Sequence, residues 1–274
     1  MGRSFRFSTH VCGIAGYSLC PDSPVERTLA AQALLAGIAE RGADAVGYAH
    51  RGAEATISVH KQRTGATALL DRIEVPAHVT QALVHVRDYT KGHPTIAANN
   101  HPIRHGAVVG IHTGIILNDD ELFANHRFER AEPDMTVDSE AIFALVDAFG
   151  ARREALEQLK GAMATAWLDE RRPGLLFLAR GVGRPLWIGQ GRRELFFAST
   201  RQALELVERT LDVRLRAREV PEGALALVEH GKVVSRTRFR PDHGYVESDP
   251  LPSVRAPHEG ASCLALLAAI STAA

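Results

Sequence analysis

Between residues 161 and 200 the chain carries four apolar runs, GAMATAWLD, GLLFLAR, RPLWIG and ELFFAST, which recur about every ten to thirteen residues. Each is too short for a buried helix, and each is bounded by Gly, Pro or charged residues. Such spacing predicts an antiparallel strand meander, a feature that few fold classes accommodate. Further strand-like runs lie at 11–17 (VCGIAGY), 46–50, 55–61, 80–87 (TQALVHVR), 107–112 (AVVGIH), 213–217 and 223–229. Helical periodicity is expected at 25–40, 66–72, from Asp119, from Ser139 and at 151–160 and 200–209, with a loop over 88–104. Strands and helices are partly segregated rather than alternating, so the fold class is α+β, in layers.

Charge narrows the function. The 274 residues hold 32 Lys+Arg against 32 Asp+Glu, a formal net charge of zero. That argues against a generic nucleic-acid binder and against a polybasic membrane-surface protein. No apolar run is long enough to span a membrane, and the N-terminus has no secretory or acylation signal. Cys12, Cys20 and Cys263 form no disulfide framework and no zinc spacing, which fits a reduced, cytoplasmic setting. His101 and His105 stand in an H-x3-H pattern, but no further ligands accompany them, so no metal is expected. Arg214, Arg216 and Arg218 alternate as one solvated face of a strand would. Asp138 or Thr136 is available to cap the following helix. Residues 247–260 are Pro-rich and polar and are expected to be loose, and 263–274 are expected to form a packed helix or a disordered end.

An ordered series of short motifs points to chemistry. It comprises C-G-I-A-G from Cys12, R-G-A-D-A-V-G from Arg41, H-V-R-D-Y-T-K-G from His85 and N-H-P-I from Asn100. H-T-G-I-I-L-N follows from His112, then D-S-E from Asp138, L-K-G-A-M-A-T-A-W-L-D over 159–169, L-F-L-A-R-G-V-G-R-P-L over 176–186 and F-F-A-S over 196–199. In this set and order the sequence resembles the glutaminase domain of class II glutamine amidotransferases, which are N-terminal-nucleophile hydrolases. The resemblance covers about residues 12–205. It implies a four-layer α-β-β-α sandwich with the nucleophile at the end of a central strand.

The resemblance also implies an activity, hydrolysis of glutamine to glutamate and ammonia, and a role for each matching residue. Cys12 is the nucleophile, and its own α-amino group, with an ordinary pKa of about 8, is the base once Cys12 is the first residue. Arg87 clamps the glutamine α-carboxylate with its planar fork. Asp138 holds the α-ammonium, Thr90 and Gly92 add loop hydrogen bonds, and Gly114 offers an N–H to the oxyanion.

Three departures stand out. Eleven residues precede Cys12, so 1–11 read as a propeptide, 12–245 as the amidotransferase domain and 246–274 as a C-terminal tail. Thr113 replaces the family's Asn beside the oxyanion glycine, and loss of such a donor costs ~10²–10³ in rate. Asp88, Tyr89 and Lys91 replace the family's usual loop residues. No cofactor is implied, no phosphate-binding loop is present, and the partner implied is a separate synthase that takes up the ammonia. Two other readings stay open: another amide hydrolase of the same superfamily, and a catalytically silent module that binds glutamine or a partner.

Overall fold

The computed structural model describes residues 12–52, 55–247 and 254–273. The expected propeptide, 1–11, and part of the expected tail, 248–253, lie outside the described residues. In chain order the elements are β1 (Gly13–Leu19), α1 (Arg27–Ile38), β2 (Ala45–Arg51), β3 (Ile57–Gln62), α2 (Thr67–Leu70) and β4 (Gln81–Arg87). There follow β5 (Ile103–His105), β6 (Val108–Ile116), α3 (Asp119–His126), α4 (Glu140–Phe149), α5 (Arg153–Leu156), β7 (Gly161–Asp169) and β8 (Leu175–Arg180). The last are β9 (Trp187–Gln190), β10 (Glu194–Ala198), α6 (Arg201–Leu211), β11 (Arg216–Glu219), β12 (Ala224–Glu229), β13 (Lys232–Arg238) and α7 (Pro257–Ala273).

The strands form two sheets, in the orders β11-β9-β10-β1-β4-β2-β3 and β13-β12-β8-β7-β6-β5. Their ladders are antiparallel. Side-chain alternation along each strand divides the interior into three apolar layers. In β1, Ala15, Tyr17 and Leu19 face α1 and α6, whereas Ile14 faces the second sheet. In β7, Ala164, Ala166 and Leu168 face the first sheet, and Met163 and Trp167 face α4 and α5. The layers therefore run helix, sheet, sheet, helix, which is the α-β-β-α sandwich expected from the resemblance.

Local chemistry explains the helix starts. Glu26 accepts from Thr28 N at 2.9 Å and from Leu29 N, capping α1, and Thr200 Oγ1 accepts from Ala203 N at 3.3 Å at the start of α6. α7 joins the helical layer of the first sheet. Its Cys263 and Leu267 are buried among α1 residues, and Glu259 accepts from Thr67 N and Oγ1, each at 2.8 Å. Residues 257–260, expected to be loose, are thus the first turn of a docked helix. Two strands were also not expected: β5 lies inside the predicted loop, and β13 lies beyond the last predicted strand.

Candidate active site

The site forms where β1 begins and β4 and β6 near their ends, and the motif beginning at Arg41 ties the start of β1 to the end of β4. Arg41 Nε donates to Cys12 O at 3.1 Å. Gly42 runs so close to β4 that a Cβ there would lie 2.4 Å from Arg87 O. Asp44 N then donates to that same Arg87 O at 3.0 Å, and Asp44 Oδ2 accepts from Tyr89 N at 2.9 Å. One short turn fixes the backbone on both sides of Asp88.

Cys12 stands just ahead of β1. Its Sγ donates to Asp88 O at 3.3 Å. Burial pushes the thiol up to about 11, only partly opposed by the nearby Arg87 guanidinium. The Cys12 thiol is therefore protonated near neutrality and needs a base to become a nucleophile.

Arg87 ends β4 on the face that looks toward the second sheet, and it is 2% exposed. Its Nη1 donates to Asn100 Oδ1 at 2.6 Å, and its Nη2 donates to Lys91 O at 2.9 Å and to Gly92 O. Three acceptors leave part of a five-donor guanidinium for a ligand. Gly92 takes a positive φ of 78°, which lets the 88–92 loop fold its carbonyls back onto Arg87. Lys91 Nζ anchors the loop to the start of α3 by donating to Asp119 Oδ1 and Oδ2, at 2.8 and 2.6 Å, and to Asp120 Oδ2 at 3.0 Å.

Asp138 does not cap α4. The N-cap position is Ser139, with no side-chain cap bond, and Asp138 Oδ2 instead accepts from Ile116 N at 2.7 Å. Thr136 is not the cap either; its Oγ1 accepts from Asn99 Nδ2 at 3.4 Å. Burial pushes the Asp138 carboxyl up to about 6, with the Ile116 N–H opposing and the nearby Asp119 charge adding to the rise.

On β6, Thr113 and Gly114 divide their work. Thr113 Oγ1 donates to Cys12 O at 2.9 Å, so its hydroxyl positions the cysteine's backbone. Across the ladder from Gly114, Met163 N donates to Val182 O at 3.1 Å and Met163 O accepts from Gly181 N at 2.7 Å. Both Met163 groups thus point to the chain just after β8, so the Gly114–Met163 pair is of the non-bonded kind and the Gly114 N–H points away from β7. Gly114 has φ 140°, and a Cβ there would lie 2.0 Å from Ala162 O, so no other residue fits.

Cys12, Arg87, Thr90, Gly114 and Asp138 line one narrow cleft with Tyr89, Lys91, His101, His112, Val137 and Ser139. Thr113 and Gly92 lie behind this surface, as positioning residues. The water-accessible volume is about 10 Å³, room for roughly one water, so a glutamine enters only if the lining rearranges.

Three buried histidines were not anticipated as part of this site. The His85 and His101 rings stack with centroids 4.2 Å apart, His85 Nε2 lies 3.1 Å from His112 O, and His112 Nδ1 lies 2.8 Å from Ser139 Oγ. Burial holds His85 and His112 down at about 3 and His101 well below its ordinary value, so the three stay neutral. Their signal was present in the motifs H-V-R, N-H-P-I and H-T-G. His105 turns elsewhere, to Glu140 Oε1 at 2.9 Å, so it shares no ligand with His101. Among the described residues no three His, Cys, Asp or Glu side chains are grouped to hold a metal.

A glutamine amidotransferase domain model matches residues 90–206. The glutamine–fructose-6-phosphate aminotransferase (isomerizing) of Shigella flexneri is 34% identical over 212 residues, covering 73% of this chain and 33% of that protein. The chain carries a class II glutamine amidotransferase domain. The aminotransferase of the same name from Aliivibrio fischeri is 30% identical over 236 residues, 81% of this chain and 36% of that protein. The chain thus spans about a third of the length of these relatives. The fold of the amidotransferase domain also matches glutamine phosphoribosylpyrophosphate amidotransferase from B. subtilis, with a TM-score of 0.64 at 20% identity, covering 83% of this chain and 49% of that one. Among the described residues no helix is long and apolar enough to cross a membrane.

Proposed function

We propose that the domain hydrolyses glutamine to glutamate and ammonia through a thioester on Cys12, and that the ammonia is supplied to an acceptor or synthase partner. The observation that carries this reading is the convergence of Cys12, Arg87 and Asp138 on one cleft, with the Gly114 N–H outside its ladder. Glutamine's two α-substituents carry opposite charges, and Arg87 and Asp138 supply the complementary pair.

In this mechanism residues 1–11 are removed and the freed Cys12 amine accepts the Sγ proton. Sulfur attacks the side-chain carboxamide carbon, and the Gly114 N–H stabilises the resulting oxyanion. The C–N bond breaks as the ammonium form of the amine returns the proton to the departing ammonia. Water then adds to the thioester, and glutamate leaves. Thr113 positions the cysteine by its bond to Cys12 O, and with that hydroxyl engaged the oxyanion relies on backbone donors. The test is glutamate release by the chain beginning at Cys12, with Cys12→Ala as the control.

A silent glutamine-binding module is the second reading. It is favoured by the thiol held up at about 11 and by Thr113 standing in for an amide donor. Calorimetric binding of glutamine without turnover by the processed chain distinguishes it from the first.

A further inference from the structure

Arg214, Arg216 and Arg218 alternate and are exposed, as a solvated strand face would be, and the fold sets β11 beside a second edge strand. β11 and β13 are edge strands of the two sheets, and a groove of about 320 Å³ lies between them, lined by Gln190, Arg218, Lys232, Val233, Ser235 and Arg236 among others. On β11, Ala217 packs toward the helical layer, so Arg216 and Arg218 face the opposite sheet. On β13, Arg236 pairs with Ala226 and Arg238 with Ala224. Both alanines belong to the layer between the sheets, so these two arginines face inward as well. Arg218 and Arg236, from the two sheets, therefore line one groove, with Lys232 beside them and Arg216 near enough to act on Arg218.

Glu219 and Glu222 pair with Arg180, at 2.7 and 3.8 Å. Among the described residues no ion pair engages Arg216, Arg218, Lys232, Arg236 or Arg238. Arg218 is pushed below its ordinary value by burial and then by Arg236 and Arg216, so these charges repel one another. A chain of zero net charge has here gathered uncompensated cations at one groove.

We propose that this groove is a binding site for an anion carrying two or more phosphate groups. Guanidinium forks match phosphate oxygens in pairs, and three lining cations with Arg216 nearby exceed what one carboxylate or monophosphate neutralises. The groove shares no lining residue with the Cys12 cleft, so this site is additional to the glutamine site.

Calorimetric titration of the full chain with inorganic tripolyphosphate, at fixed ionic strength, tests the site. The expected result is saturable binding of one tripolyphosphate per chain, tighter than phosphate or sulfate. Arg218→Ala with Arg236→Ala weakens it by at least about tenfold, since charge-assisted bonds are lost. Cys12→Ala leaves it unchanged, so failure of the glutaminase reading does not affect the result. Both arginines are exposed, and circular dichroism checks that the double variant stays folded. Absence of saturable binding, equal affinity for monophosphate, or unchanged affinity in the double variant overturns the proposal. A polyglutamate peptide binding more tightly than tripolyphosphate also overturns it, and reassigns the groove to an acidic protein.

Discussion

Arg255 Nε lies 3.0 Å from Asp88 Oδ2 across 167 residues of sequence, and the backbone carbonyl of that same Asp88 accepts a hydrogen bond from the Cys12 thiol. Arg255 N and Ala256 N also donate to Glu40 O, next to the Arg41 that holds Cys12 O. The C-terminal segment thus braces the surroundings of Cys12 from two sides. Arg255→Ala is expected to lower kcat/KM for glutamine several-fold. A partly exposed pair contributes little to stability, so unfolding free energy should fall by less than about 1 kcal/mol. Unaltered kinetics would show that the brace is incidental.

α7 itself is expected to be an integral part of the domain. Leu267 is 3% exposed within the helical layer of the first sheet. Leu267→Ala should cost about 2–5 kcal/mol, read from urea unfolding, because it opens a cavity as well as exposing apolar surface. A cost near zero would mean that α7 detaches in solution.

Asp138 gives a pH signature. The folded chain holds its carboxyl at about 6 against an ordinary 3.8, so the native state binds this proton more tightly than the unfolded state. Stability is therefore highest below about pH 4 for this group, falls as pH rises toward 6, and stays reduced above that, by at most about 3 kcal/mol. Asp138→Asn removes that slope, so in the absence of glutamine the variant should gain on the parent across this window. Glutamine needs the ionised form for its α-ammonium, so parental affinity should weaken as pH drops below about 6. In Asp138→Asn, affinity should be poor at every pH.

Thr113→Val keeps the volume and deletes the hydroxyl that donates to Cys12 O. Arg41 still donates to that oxygen, so the stability loss should be only about 1 kcal/mol. Turnover should fall more steeply than KM rises, because the displaced group is Cys12, the proposed nucleophile. A change confined to KM would place Thr113 with the substrate instead.

The legible and illegible parts of the fold divide along physical lines. Strands β7–β10 are read easily because their apolar runs are local and their turns are marked by Gly, Pro and charge. β13 escapes notice because Lys232–Arg238 is an edge strand with exposed positions along nearly its whole length, so no alternation marks it. α7 starts in P-H-E-G, which reads as a breaker, yet Gly260 fits against Glu40, where a Cβ would come to 3.0 Å. Asp138 illustrates the same limit inside the site. Local rules favour a helix cap, and a partner on β6, Ile116 N, takes the carboxylate instead. The motifs brought Cys12, Arg87, Gly114 and Asp138 to attention. They could not reveal that Thr113 serves Cys12 O, nor that Arg216 and Arg218 would meet Arg236, because those contacts cross between sheets.

The central claim is that Cys12 acts as an N-terminal nucleophile on glutamine. Its most direct test is steady-state glutamate release by two purified forms, one starting at Cys12 and one retaining residues 1–11, each verified by intact mass. The account predicts turnover in the first form, none in the second, and none in a Cys12→Ala control. Equal turnover in the two forms, or activity surviving Cys12→Ala, would contradict it.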